Sequence, residues 1–391
     1  MTKYTADWIY PVSDAPIKNG VIITDDNGKI LAVENYLAHD PSSVQHHTGV
    51  IIPGFINTHC HLELSHMKGL VPTGSTLIPF ITEVVTKRGA PAQKIRKAID
   101  SAEKEMIKNG IVAVGDISNT TDTFAKKAEN NLLYCTFTEI FDFLQTENAE
   151  TVFSKNAEEV FVKLILSGGS TKNFVPHAPY SVSKRLFELI NGRNVSGTVS
   201  IHNQETQAEQ DLFLNENGAF YNFYARFGVS LEKFKSDRKT PIHYAMANMN
   251  PALRTLFVHN TLSSGEDIRS AHEWSDNVFW ATCPNANLYI ENRLPNYKFF
   301  IEENARMTIG TDSLTSNWQL SVLEEMKTIQ RFQSYVDFDT LLKWATLNGA
   351  QALGFDATLG SISVGKTPGL NVLNLGEDKI LRSSTRVKKL I

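Results

Sequence analysis

Between residues 51 and 311 the chain alternates short apolar runs with amphipathic stretches, and nothing else in its 391 residues limits the fold as strongly. Eight strand-like runs centre on 51–57, 111–117, 132–139, 173–177, 197–202, 255–259, 277–282 and 306–311. Strand–helix repeats build parallel sheets, because a parallel neighbour is reached only through a crossover. Eight such units favour closure into an α/β barrel of the (β/α)8 type, since closure removes the exposed edges of an open sheet. Two helices between the runs are legible in detail. One has Pro91 at its start, Ile95, Ala98, Ile99, Ala102 and Met106 along one stripe, and Asn109-Gly110 as its stop. The other is expected to begin with Asp339 as its N-cap and to end at Gly354.

The two ends read differently. Trp8-Ile9-Tyr10, Gly20–Thr24 and Lys29–Val33 are short strand candidates separated by turn residues, and Leu359–Lys366 and Leu370–Leu375 look alike. The expected division is therefore 1–50 and 358–391 as the two parts of a small β-rich unit, with the barrel over 51–357 between them.

Composition narrows the class of protein. Hydrophobic residues make up 42% and charged ones 20%, the balance of an ordered globular chain. A net charge of -4 without any Lys/Arg run disfavours nucleic acid as a partner. The N-terminus lacks an apolar signal core and no stretch approaches the roughly 18 apolar residues of a membrane span, so no membrane association is expected. Cys60, Cys135 and Cys283 are odd in number and scattered, which points to a reducing compartment, by default the cytoplasm. A homodimer is the ordinary expectation for a soluble enzyme.

Chemistry in such a barrel belongs at the C-terminal strand ends. The first run is followed by His59 and His61, which a strand turns to one face while Cys60 points away. Alone, that pair is equally two half-buried strand histidines. Downstream, however, the fourth run closes on His177, the fifth on His202, the sixth on His259 and the eighth on Asp312, while the second and third end near Asp116 and Glu139. A single strand-end histidine is more often a hydrogen-bonded core residue. Repetition at ends that a barrel brings together indicates a site. His39, His46, His47, His66, His243 and His272 lack this context and are read as structural or exposed.

Pro53-Gly54-Phe55-Ile56-Asn57-Thr58-His59-Cys60-His61, His177-Ala178-Pro179-Tyr180-Ser181, His202-Asn203-Gln204-Glu205, Val258-His259-Asn260 and Gly310-Thr311-Asp312-Ser313 together resemble the amidohydrolase superfamily. The likeness spans nearly the whole chain and is greatest to the mononuclear deaminase branch, which includes guanine, S-adenosylhomocysteine and aminofutalosine deaminases. Gly360–Lys366 resembles the closing turn of that family's small β-sandwich, built from both termini.

The resemblance implies one divalent metal, Zn(II) before Fe(II), held by His59, His61, His202 and Asp312. It implies a metal-activated hydroxide, with Glu205 as proton shuttle and His259 and Asp312 assisting. His177, standing where binuclear members carry a bridging lysine or glutamate, argues for one metal and is expected to contact substrate. Glu83 is either a substrate-binding carboxylate or a helix-surface charge. Glu63 either lines the pocket or orients a histidine. Tyr180, Phe80 and Trp318 are candidates to stack on a ring.

The expected function is hydrolytic deamination of an aminated purine or pyrimidine-type base or nucleoside, a small heterocyclic substrate, with release of ammonia. The nearest alternative is hydrolysis of another C–N or C–Cl bond, as in a cyclic amide or chlorotriazine. The combination of Glu205 and His259 favours an amine, which leaves only when protonated. A barrel serving as a binding scaffold is the alternative of another class, and lost ligands would be its mark.

Overall fold

The computed structural model describes residues 1–391. Fifteen strands organise the chain: β1 (Thr2–Ile9), β2 (Ile17–Lys18), β3 (Gly20–Thr24), β4 (Ile30–Asn35), β5 (Gln45–Pro53), β6 (Phe55–Cys60), β7 (Ile111–Ser118), β8 (Leu133–Ile140), β9 (Thr171–Pro176), β10 (Thr198–Asn203), β11 (Arg254–His259), β12 (Val278–Thr282), β13 (Met307–Ile309), β14 (Leu370–Leu373) and β15 (Val387–Lys389). The α/β class is as expected, and each of the eight runs contains a strand.

β6 to β9 pair in chain order as one four-stranded parallel sheet, and β10 to β13 as another. The sheets meet along both edges. At one, His202 N donates to His177 O at 2.9 Å; at the other, Thr311 N and Asp312 N both donate to His59 O at 3.0 Å, and Cys60 pairs with Asp312 in a parallel bridge. Helices cover the outside, and 62 buried residues form the main hydrophobic cluster between helices and strands.

The terminal strands form one mixed seven-stranded sheet in the order β15-β14-β5-β1-β3-β4, with β2 on β1. Both chain ends contribute strands to it. One boundary differs from expectation. The run from Val50 to Ile56 is not a single strand: Val50–Pro53 end β5, pairing with β14, and β6 begins at Phe55. Gly54 is the crossing point. A Cβ there would lie 2.4 Å from Val112 Cγ1 and 2.7 Å from Pro368 O, so only glycine lets the chain pass between the two sheets.

Two helices precede β7: α1 spans Leu77–Lys87 and was not anticipated, and α2, the first of the two legible helices, spans Ala92–Lys108 with Pro91 and Asn109 as its caps. Ile99, Ala102 and Met106 are buried along α2, as their spacing predicts. The helix expected from Asp339 starts one turn fraction earlier. Asp337 is the N-cap, its side chain accepting from Thr340 N at 2.7 Å. The helical pattern also breaks at Thr346, giving Phe338–Ala345 and Leu347–Leu353, the latter closed by Gly354 at φ +77°.

Candidate active site

The C-terminal strand ends converge on one buried cluster. His61 Nε2 lies 3.2 Å from His59 Nε2 and 3.3 Å from His202 Nε2, while Asp312 Oδ1 lies 3.7 Å from His59 Nε2 and 3.5 Å from His61 Nε2. These are the four residues the sequence nominated as metal ligands. Their surroundings fit that use. His202 Nδ1 lies 2.8 Å from His177 O, a hydrogen bond that places the proton on Nδ1 and leaves the Nε2 lone pair facing its neighbours. Ser316 Oγ donates to Asp312 Oδ2 at 2.6 Å, so the free oxygen is Oδ1.

Burial, then the mutual proximity of the histidines, holds their imidazoles neutral. His61 is pushed down to about 3 by burial and by His177 and His259, and His59 well below its usual range by burial and by His202 and His61. Neutral, close-packed imidazole nitrogens suit a divalent cation: zinc at about 2.0–2.1 Å from each of two nitrogens separates them by about 3.3 Å. The donor set of imidazoles and one carboxylate suits Zn(II) or Fe(II). Glu139, His177 and His202 form a second close group, but there Glu139 Oε1 faces His202 Nδ1 at 3.4 Å, the nitrogen that carries the hydrogen.

Beside the cluster, Glu205 Oε1 faces His259 Nε2 at 3.7 Å. Asn287 Oδ1 lies 2.8 Å from His259 Nδ1 and orients that ring. Burial, then Asp312 and Glu291, push the Glu205 carboxyl well above the usual carboxylate range. Glu205 N in turn donates to Glu209 Oε2 at 2.9 Å, and Glu209 is itself raised to about 8, mainly by burial. His259 at φ +71° and Asp312 at φ +56° leave their strands in the left-handed region. Each costs roughly 1–3 kcal/mol, a strain typical of residues whose direction matters.

Above the cluster opens a pocket lined by His61, His177, His202, Glu205, His259 and Asp312 at its floor. Its walls are apolar, drawn partly from a separate cluster of 13 buried hydrophobic residues that includes Leu77, Phe80, Tyr180 and Phe223. His177 lines the pocket, its Nδ1 2.6 Å from Ser181 Oγ. Tyr180 and Phe80 also line the pocket, whereas Trp318 is 49% exposed, packs on Tyr289 and stands outside it.

Two expected substrate residues are placed elsewhere. Glu83 does not reach the pocket. On α1 it points to Lys87, one turn on, and forms an ion pair at the helix surface, because Ile81 and Val84 occupy the inward-facing positions. Glu63 is buried, but it neither lines the pocket nor orients a histidine through its carboxylate; it binds Arg88 Nη2 at 3.0 Å. Arg88, Asn119 and Glu139 are pocket-lining residues that no role was given from sequence. Arg88 follows a helix with no motif around it, so only its contact with Glu63 reveals it.

On the eight-strand frame, His59, His61 and His202 form a candidate metal site with Asp312 beside them. The chain belongs to the amidohydrolase family, whose pattern matches residues 50–390. It is 29% identical to the adenosine deaminase of Helicobacter pylori over 339 residues, covering 84% of this chain and 80% of that protein. The structure superposes on the aminofutalosine deaminase of Helicobacter pylori in complex with methylthio-coformycin with a TM-score of 0.81 at 24% identity, covering 100% of both chains. It also matches an adenosine deaminase from Xanthomonas campestris with bound zinc, with a TM-score of 0.71 at 20% identity over 96% of this chain and 85% of that one. No helix is long and apolar enough to cross a membrane.

Proposed function

We propose that the chain is a metal-dependent aminohydrolase that deaminates an adenine-type nucleoside within a (β/α)8 barrel, with the terminal sheet as a small β-sandwich built from both ends. The observation that carries this reading is Glu205 against His259 at 3.7 Å, both buried, beside His59, His61, His202 and Asp312. A carboxyl able to hold a proton at the edge of a metal cluster is what expelling ammonia needs, since an amine leaves only when protonated. The names of the relatives support the same reaction.

His59, His61, His202 and Asp312 would hold the metal, zinc by analogy with the Xanthomonas campestris protein. When bound, it supplies an acidified water, lowering its pKa from about 16 to about 7. Glu205 takes a proton at its carboxylate and returns it to the departing nitrogen. His259 Nε2 polarises the carbon under attack, and its ring is fixed for this by Asn287. Asp312, positioned by Ser316, accepts a proton as well as ligating. His177 contacts the bound ring, and the apolar walls exclude competing water. In this reading the barrel starts at Phe55, where β6 begins, and 358–391 return to the terminal sheet. Three unpaired, buried cysteines fit a reducing cytoplasm.

The deciding experiment measures ammonia release from adenosine, 5'-deoxyadenosine, S-adenosylhomocysteine, aminodeoxyfutalosine, guanine and a chlorotriazine, with metal content determined on the same sample. Ammonia is expected from one or more adenine nucleosides, with close to one metal per chain. Chloride release alone, or turnover that survives complete metal removal, would sink the reading.

A further inference from the structure

The Glu205 carboxylate accepts no hydrogen bond from the protein, and His259 Nε2 faces it at 3.7 Å. Its direction is therefore set by the backbone that carries it. That backbone is strained. β10 ends at Asn203, and Gln204 turns into the left-handed region at φ +47°, which a residue with a side chain keeps only when its surroundings enforce it. On one side the turn is tied to the segment that follows β11. Gln204 O accepts from Leu262 N at 3.0 Å, its Oε1 accepts from Ser263 Oγ at 2.6 Å, and its Nε2 donates to Asp267 Oδ2 at 3.1 Å. On the other side stands Glu209, whose Oε2 accepts from Glu205 N at 2.9 Å.

Glu209 lies in the first turn of the helix Gln207–Asn215, where an acid ordinarily closes a capping box by accepting from the N-cap N–H. The N-cap here is Thr206, which makes no side-chain cap bond, and the carboxylate reaches past it to Glu205. Glu209 has no other charge to satisfy. It is 0% exposed, no lysine or arginine stands against it, and its Oε1 has no partner. Its donors are the backbone N–H groups of Glu205 and, more weakly, of Gln204, the two residues of the strained turn. An acid buried without a cation lowers stability, so helix capping alone does not account for it. Glu209 is also absent from the pocket wall, and any effect on the reaction must pass through Glu205.

We infer that Glu209 is a positioning residue: by holding the Glu205 N–H it fixes the turn at Gln204 and aims the Glu205 carboxylate at His259. The kinetic consequence rests on the proton-transfer role given to Glu205 above; the geometric one stands on the turn itself.

The test compares Glu209→Leu and Glu209→Gln with the wild type in ammonia release from adenosine and 5'-deoxyadenosine, and determines the crystal structure of each variant. Glutamine keeps an oxygen for the Glu205 N–H, whereas leucine offers none. Glu209→Leu should lower kcat by about 10- to 100-fold, the cost of a misplaced catalytic group, with KM and metal content unchanged. Glu209→Gln should retain most of the wild-type kcat. Added to Glu205→Gln, the leucine substitution should bring no further loss, because it acts through a group already removed. A residue that only stabilised the helix would lower stability and leave the kcat of the folded enzyme alone. Wild-type kcat in Glu209→Leu, an equal loss in both variants, or a loss that multiplies with that of Glu205→Gln overturns the inference. If Glu209→Leu does not fold, Glu209→Asp, whose shorter arm stops short of Glu205 N, takes its place. Should the wild type release ammonia from neither nucleoside, the deaminase reading fails for them and the crystal structures decide alone. Glu205 turned away from His259 in Glu209→Leu but not in Glu209→Gln upholds the positioning role; any other pattern overturns it.

Discussion

In the sheet of β6 to β9, Asp116 and Glu63 are matched to cations, whereas Glu139 near the end of β8 faces His202. Asp116 Oδ2 lies 2.6 Å from the buried Lys127 Nζ, its Oδ1 accepts from Leu62 N at 2.8 Å, and Glu63 holds Arg88. In the sheet of β10 to β13, Glu205 and Asp312 have no lysine or arginine partner and face histidines instead. The difference separates scaffold from chemistry. A compensated buried carboxylate fixes backbone, as Asp116 fixes the residue after His61, because its charge is already satisfied. An uncompensated one stays available to a metal or a proton.

The largest expected effect is that of Glu205→Gln. It should lower kcat by about 10²- to 10⁴-fold while leaving metal content unchanged and stability equal or greater, because the amide removes an uncompensated acid. Stopped ammonia release with retained metal would sharpen the contrast; undiminished turnover would remove Glu205 from its role. Lys127→Met addresses the other sheet. Leaving Asp116 buried and alone should cost about 3–5 kcal/mol in a denaturant titration, with a much smaller change in the kcat of the folded enzyme. A variant as stable as the wild type but as inactive as Glu205→Gln would break the comparison.

A third prediction concerns pH. Glu325, on the helix Val322–Phe332, accepts from Asn285 N at 2.8 Å, Asn285 Nδ2 at 3.0 Å and Asn317 Nδ2 at 2.7 Å, and burial raises its carboxyl to about 8. The folded state then keeps a proton that the unfolded chain releases near its ordinary value of 4.5. Its contribution to stability therefore falls as pH rises from about 4.5 to about 8, on the order of 1.4 kcal/mol per pH unit, and levels off above. Denaturation midpoints for Glu325→Gln should be flatter across that window than those of the wild type. An identical slope in the two proteins would show that Glu325 is satisfied as an anion by its amide donors. The smallest effect is expected for Ser316→Ala, which deprives Asp312 Oδ2 of its donor. Metal affinity, read by competition with a chelator, should weaken by about fivefold, equivalent to about 1 kcal/mol. No change would mean that Asp312 is oriented by its backbone alone.

Much of this was legible in the residues. Apolar runs with regular spacing located all eight strands, because burial on both faces leaves an unmistakable signature. The strand ends pointed to five histidines and Asp312, and the resemblance to the amidohydrolases singled out His59, His61, His202 and Asp312 among them. What remained hidden were features set by contacts distant in the chain. The end of β5 and the start of β6 read as one apolar run, since Gly54 marks a crossing only when Val112 and Pro368 are in view. Glu83 and Arg88 lie on the same short stretch, yet one faces Lys87 at the surface and the other the pocket, a distinction of helical phase that a weakly patterned segment does not announce. Asn287, on the short helix Pro284–Glu291, and Ser316, in the turn after Asp312, orient His259 and Asp312 through contacts that no periodicity foretells.

The edges where the two sheets meet carry a mechanical meaning as well as a chemical one. His59 and His61 stand at the end of β6 in the first sheet, His202 in β10 of the second and Asp312 just past β13, and Thr311 N and Asp312 N bond to His59 O across the gap. A cation held by all four would therefore act as a rivet between halves of the molecule that fold from separate lengths of chain. Loading the site would reward correct closure, and stripping it would loosen the pocket floor along its own joint.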